Sequence, residues 1–225
     1  MKESNQKLNY LSFPIGSLGC NCTIIYSPKT KHAIIIDPGN DIYYLESKIK
    51  EHGFKPLMLL HTHAHFDHIG NSPSFSKKFE IPMHLHPEDK FLYKALEAQG
   101  KIFGASVDEP TVECHDLIDN QSFNLPIYEA KASPNTSQLN VIHTPGHTPG
   151  SCSFYTEALG TPILLAGDTL FENSIGRTDL PGGDSQKILK SIKQRLFTLP
   201  EETLVIPGHG KSTYLHREKR SNPYL

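Results

Sequence analysis

The chain has 225 residues, a formal net charge of −2 and 13 histidines. This length can build a substantial core, and we expect a single domain over residues 1–225. A charge near zero argues against nucleic acid or an anionic membrane as partners. No apolar run approaches the roughly 20 residues of a membrane span, and residues 1–6 are polar, unlike a signal peptide. We therefore expect a cytoplasmic protein whose four cysteines are free thiols.

Strand-like and helix-like segments alternate along the chain, which predicts an α/β fold. In the first half we expect, in chain order, strands at 23–26 and 33–37, a helix at 41–52, a strand at 57–61, a helix at 67–78, a short strand near Met83 and a helix at 87–99. In the second half we expect strands at 125–130, 139–143, 151–155 and 162–166, a helix at 184–199 and a last strand leading to His209. Residues 100–120 show no regular pattern.

A run of potential metal ligands follows the strand expected at 57–61. It places His63 and His65 two residues apart, and Asp67 and His68 come directly after them. Imidazole and carboxylate groups suit zinc, iron or manganese. Two histidines can hold one ion, and the two further donors indicate a second ion beside it. The alternative is a histidine-rich surface loop without ligands.

Three later donors each stand just past the end of an apolar, strand-like segment. They are His147, Asp168 and His209. A rigid strand end can hold side chains together and leave room for a substrate. Each residue alone could be an ordinary loop or turn residue. Taken together with the first cluster, they predict one shared metal centre.

These motifs, with residues 19–22, 36–39 and 221–225, resemble the metallo-β-lactamase fold superfamily, and most closely its glyoxalase II type of hydrolase. The resemblance covers nearly the whole chain and implies a four-layer αββα sandwich with metals at one edge of the two sheets. It implies two divalent ions, zinc first, with iron and manganese as further candidates. By position, it implies a first metal on His63, His65 and His147, a second metal on Asp67, His68 and His209, and Asp168 as a bridge between them.

The same resemblance implies hydrolysis of a small-molecule thioester such as S-D-lactoylglutathione. A metal-bound hydroxide would be the nucleophile, and Asp67 would orient it. Arg177 stands where glyoxalase II has a basic residue that binds a carboxylate of the glutathione portion. The alternative is an internal ion pair of Arg177 with Asp179 or Asp184. Asp179 also replaces the tyrosine expected two positions after the basic residue.

Only fifteen residues follow Gly210, so we expect a short, bacterial-type member without the C-terminal helical domain, and a broader range of thioesters. An iron-dependent persulfide dioxygenase of the same fold is the main alternative function. A β-lactamase is disfavoured because Asp168 is retained, and a nuclease because no basic arm is present. A non-catalytic metal-binding regulatory or scaffold protein is a further alternative.

Overall fold

The computed structural model describes residues 8–125 and 138–225. Its centre is a pair of six-stranded sheets. The first sheet consists, in spatial order, of β1 (Asn9–Ile15), β2 (Cys20–Tyr26), β3 (His32–Ile36), β4 (Lys55–Leu60), β5 (Met83–Leu85) and β6 (His115–Asp116). The second has the order β14 (Thr213–Tyr214), β13 (Leu204–Pro207), β10 (Ile163–Gly167), β9 (Cys152–Thr156), β8 (Gln138–His143) and β7 (Ser122–Asn124). A short hairpin joins β11 (Leu170–Phe171) to β12 (Ser174–Ile175).

Helices cover the outer faces of both sheets. They are α1 (Ile42–His52), α2 (Phe66–Ile69), α3 (Ser72–Phe79), α4 (Lys90–Lys94), α5 (Leu96–Phe103), α6 (Ser185–Ser191) and α7 (Leu215–Ser221). A 3-10 turn, Pro87–Asp89, precedes α4, and a π-helical turn, Ile192–Leu196, continues α6. In the described ranges, no helix is both long and apolar enough to cross a membrane.

Three apolar layers hold the sandwich together. Strand β3 shows the pattern, because Ile34 and Ile36 pack between the sheets while Ile35 packs under the helices on the outer face. Such alternation is expected when both faces of a sheet are buried. On the far side, Ile188 and Ile192 of the α6 region pack on the second sheet. The order of layers is therefore helix, sheet, sheet, helix, as the family resemblance implied.

Several predicted boundaries were wrong in the first half of the chain. The first strand is β1, which was not predicted. The helix expected at 67–78 is broken into α2 and α3, since Pro73 lies in the first turn of α3 and starts a new helix. The helix expected at 87–99 is also divided, at Ala95, and α5 runs on to Phe103. The stretch 100–120 therefore contains the end of a helix and β6.

In the second half, most expected strands are present with shifts of one or two residues. Of the strand expected at 125–130, residues 126–130 lie outside the described residues. Strand β7 ends at Asn124, just before it. The helix expected at 184–199 changes to a π-helical turn at Ile192. Strand β14 and helix α7 were not predicted. All four cysteines are buried free thiols, as expected.

Parallel pairing directs several strand ends to one edge of the sandwich. Strands β3 and β4 are parallel, and so are β10 and β13. Backbone hydrogen bonds join the two sheets at this edge, from Asn21 N to Gly208 O at 2.7 Å and from Cys152 N to Thr62 O at 2.7 Å. The loops that follow these strands are therefore held close together.

Candidate metal centre

The first group of donors contains His63, His65 and His147. Nδ1 of His65 lies 3.1 Å from Nε2 of His63 and 3.0 Å from Nε2 of His147. Two of the rings come from the loop after β4 and the third from the loop after β8. His63 and His147 are buried, and His65 is partly exposed. One ligand atom from each ring faces a common point.

The second group contains Asp67, His68 and His209. Nε2 of His209 lies 3.0 Å from Oδ2 of Asp67 and 3.2 Å from Nε2 of His68. Asp67 and His68 are adjacent residues of α2, directly after the histidine loop, and His209 follows β13. These donors form a second cluster that could hold an ion.

Asp168 lies between the two groups, just past the end of β10. Its Oδ1 is 3.5 Å from Nε2 of His68, and its Oδ2 is 3.6 Å from Nε2 of His147. Oδ1 is buried and has no hydrogen-bond partner among residues 8–125 and 138–225. A buried carboxylate oxygen without a partner is costly, so this position calls for a cation.

Hydrogen bonds on the far side of the rings set which nitrogen is free. Nδ1 of His147 donates to the carbonyl of Arg177 at 2.8 Å, and Nδ1 of His209 donates to the carbonyl of Leu18 at 3.1 Å. Nδ1 of His68 faces Oδ2 of Asp37 at 3.0 Å. In a neutral ring with Nδ1 protonated, Nε2 presents a lone pair. Such outer partners are typical of metal-binding histidines.

Burial keeps the first group neutral. It lowers the pKa of His63 well below the usual range, and the neighbouring imidazole of His68 adds to this effect. Burial, with His147 beside it, lowers the pKa of His65 to about 3. The pKa of His147 is lowered by burial as well. Neutral imidazole is the form that binds metals.

Carboxylates surround the two histidines of the second group. Burial lowers the pKa of His209, but its hydrogen bond to Asp67 and the charge of Asp168 outweigh burial and raise it. For His68, burial also lowers the pKa, but the electrostatic interactions with the Cys20 sulfur and with the nearby carboxylates outweigh burial and raise the pKa above the usual range. These carboxylates need a positive charge nearby, either protons on the imidazoles or a metal ion.

The side chain of Arg177 lies outside both donor groups. Its guanidinium forms a bidentate ion pair with Asp179. The sequence left two possibilities for Arg177, a substrate-binding side chain or an internal ion pair, and the ion pair is present in the structure. The Arg177 side chain is 57% exposed, so the pair stands in solvent.

Asp37 belongs to the 36–39 motif that carries the family resemblance, and the sequence assigned it no role. It contacts His68 on the side of the ring that faces away from the donor group. It accepts hydrogen bonds from Thr62 N at 2.8 Å and Thr62 Oγ1 at 2.7 Å, in addition to its contact with His68. A signal was available, because Asp37 follows an apolar strand in the same way as Asp168. The Sγ atom of Cys20 lies 3.3 Å from the same Nδ1 atom of His68.

The donor set fits two divalent ions. Seven imidazole and carboxylate groups converge at one edge, and they are those that the sequence predicted: His63, His65, Asp67, His68, His147, Asp168 and His209. Their nitrogen and oxygen atoms suit zinc, iron or manganese.

Comparisons with known proteins agree with this geometry. A family model described as the Metallo-beta-lactamase superfamily matches residues 15–209. The chain is 33% identical over 219 residues to the hydroxyacylglutathione hydrolase GloC of Haemophilus influenzae. The matched region covers 97% of this chain and 98% of that protein. It is similar to the structure of TTHA1623 in a di-iron-bound form, with TM-score 0.83, 32% identity and coverage of 96% and 100%.

A second solved structure, BLEG-1 B3 metallo-beta-lactamase, has a TM-score of 0.83, 35% identity and coverage of 96% of this chain and 99% of that chain. The family model extends over most of the chain, from β1 to His209. The protein therefore belongs to the metallo-beta-lactamase superfamily.

Proposed function

We propose that this protein is a two-metal hydrolase of small thioesters, with S-D-lactoylglutathione as the first substrate to test. The observation that supports this proposal most is the pair of donor groups around the buried, unpartnered Oδ1 of Asp168. The similarity to GloC, a hydroxyacylglutathione hydrolase, supports a thioester as the bond that is cleaved.

In this proposal His63, His65 and His147 would hold the first ion, Asp67, His68 and His209 would hold the second, and Asp168 would be shared between them. Zinc suits these donors, and the di-iron form of TTHA1623 makes iron the next candidate. Two such ions, when bound, supply a hydroxide nucleophile at neutral pH and polarise a carbonyl group.

Other groups of the chain fix the geometry. The carbonyls of Leu18 and Arg177 orient the rings of His209 and His147. Asp67 holds its Oδ2 toward His209 and is proposed to accept a hydrogen bond from the attacking water as well. Water adds to the carbonyl carbon and the C–S bond breaks, which gives a carboxylate, a thiol and a proton.

Two other activities are tested beside this one. The 35% identity to BLEG-1 makes β-lactam hydrolysis a second candidate. Persulfide oxidation on a single iron is the third, because the same donors could hold one ion.

The experiment starts from protein purified without added metal. Zinc, iron and manganese are measured per chain, and metal-free protein is then reloaded with each ion. Thiol release from several acyl and thiol portions is compared with hydrolysis of a chromogenic cephalosporin and with persulfide-dependent oxygen uptake. We expect thioester turnover that needs two ions per chain. A metal-replete protein that cleaves no thioester would overturn the proposal.

A further inference from the structure

Asp89 is a buried carboxylate outside both donor groups. It ends the turn before α4 and has an exposed fraction of 0%. Its Oδ2 accepts hydrogen bonds from Ala64 N at 3.0 Å and from Thr148 Oγ1 at 2.8 Å. Its Oδ1 accepts one from Gly150 N at 2.6 Å. Three donors hold this carboxylate in one position.

The three donors belong to two loops from different sheets. One loop follows β4 and contains Ala64 between two candidate ligands of the first metal. The other joins β8 to β9 and contains Thr148 and Gly150, next to the third ligand, His147. Asp89 therefore connects the two parts of the chain that meet at the first donor group.

The surroundings of Asp89 fit this connection closely. A Cβ at position 150 would lie 2.8 Å from Cγ of Asp89, so glycine lets the Gly150 backbone reach the carboxylate. Oγ of Ser151 accepts a hydrogen bond from Thr148 N at 3.0 Å and lies 2.7 Å from Thr148 Oγ1. The Ser151 hydroxyl can therefore donate its own proton to Thr148 Oγ1. The Thr148 hydroxyl proton is then donated to Asp89.

We propose that Asp89 is a positioning residue for the first metal site, which rests on the proposed two-metal function. The ligands of that site come from two loops, and their separation must be set before the ion binds. A carboxylate bound to both loops reduces the ordering that binding requires. The second group contains no ligand from the loop between β8 and β9. Loss of Asp89 is therefore expected to weaken the first site selectively.

The test uses two backgrounds, each with one site disabled. His209→Ala keeps the first donor group intact, and His147→Ala keeps the second. Cobalt(II) binding is followed by visible absorption in competition with a chelator. Asp89→Asn replaces one acceptor oxygen by an NH₂ group, which faces at least one of the three donors in either amide orientation. In the His209→Ala background we expect it to weaken cobalt binding about 10- to 100-fold, and in the other background by less than about threefold.

Glu88→Gln is the matched control, because it removes an exposed carboxylate one residue away and is expected to leave both affinities unchanged. If the Asp89→Asn variant does not fold, the same cobalt titrations are made with Thr148→Val in its place. That change removes one of the three hydrogen bonds, and Thr148→Ser restores it and should restore cobalt affinity.

Equal weakening of both sites would overturn the proposal, as would an unchanged first site. Wild-type protein that binds cobalt only through the second group would also overturn it. The readout contains no thioester, so a failure of thioester hydrolysis would overturn the proposed function and leave the cobalt result standing.

Discussion

Arg177 and Asp179 form a bidentate ion pair, with Nε 2.7 Å from Oδ1 and Nη2 2.8 Å from Oδ2. The guanidinium holds the pKa of Asp179 down, at about 2, so the pair is ionised at neutral pH. Both side chains are exposed, and exposed pairs are weak and screened by salt. The backbone carbonyl of Arg177 meanwhile orients His147. Under the proposed function, a substrate carboxylate would compete with Asp179 for the guanidinium and leave the backbone contact in place.

Freeing Arg177 should favour anionic thioesters. In Asp179→Asn we expect kcat/KM for S-D-lactoylglutathione to rise by up to about fivefold at low salt, because the competing carboxylate is gone. An uncharged alkyl thioester should be unaffected. In an Arg177→Met background the same change should have no effect. Equal changes for both substrates would show that Asp179 acts on the site by another route.

Arg177→Ala separates substrate binding from structure. The substitution keeps the carbonyl that binds His147, so metal content should stay unchanged while KM for the glutathione thioester rises. Metal analysis and steady-state kinetics on the same preparation are sufficient. Metal loss or unfolding would show that the side chain has a structural role.

Asp168→Ala should weaken both metal sites, since this carboxylate lies beside both donor groups. We expect a loss of about 10-fold or more in affinity at each site, with activity lost in parallel. Asp184→Ala is the matched control, because Asp184 caps α6 by accepting from Gln186 N and Lys187 N. Loss of that cap should cost about 1 kcal/mol of stability and leave the metals bound. Loss of only one ion in Asp168→Ala would contradict a shared role.

The donor set could be predicted from sequence because its signal is local. Asp168 and His209 each follow an apolar run, and parallel pairing brings such ends to one edge. Helix α1 was also predicted, over 41–52, and in the structure Asp41 is its N-cap and Gly53 its left-handed end. These features depend on residues within a few positions of each other.

Long-range features could not be predicted in the same way. The partners of Asp89 lie 25, 59 and 61 residues away along the chain, so no spacing reveals them. Strand β1 contains Pro14, which argues against a strand, but β1 is an edge strand, where proline is tolerated. The partner of Arg177 stayed open because Asp179 and Asp184 are both near in sequence.

Gly208 tests how closely the centre is packed. A Cβ at this position would clash with Oδ1 of Asp168 and lie 2.8 Å from Cε1 of His68. Gly208→Ala should therefore displace the Asp168 carboxylate and lower metal content, with little change in far-ultraviolet circular dichroism. Gly210→Ala is the control, since its backbone has φ of +77° but a Cβ there meets no described atom within 4 Å. It should cost stability by backbone strain and keep both ions. Full metal content in Gly208→Ala would contradict the predicted clash.

His61 should make the metal-free protein sensitive to acid. Its ring is buried, with Nδ1 2.8 Å from the His84 carbonyl and Nε2 2.7 Å from Oγ of Ser72, which suits a neutral imidazole. Burial lowers the pKa of His61 to about 4, whereas an unfolded histidine titrates near 6.5. The unfolded chain therefore binds the extra proton between these values. The stability that neutral His61 contributes is present above pH 6.5 and is lost as the pH falls toward 4.

The measurement is urea unfolding of metal-free protein at pH 7.5 and pH 5. Between these pH values, wild-type protein should lose about 2 kcal/mol more unfolding free energy than His61→Gln, because glutamine can bond to both partners and takes up no proton. His32→Gln, at an exposed position, is the matched control and should follow wild type. If His61→Gln loses as much stability as wild type over this range, the acid sensitivity arises from other groups, such as the unliganded imidazoles of the metal centre.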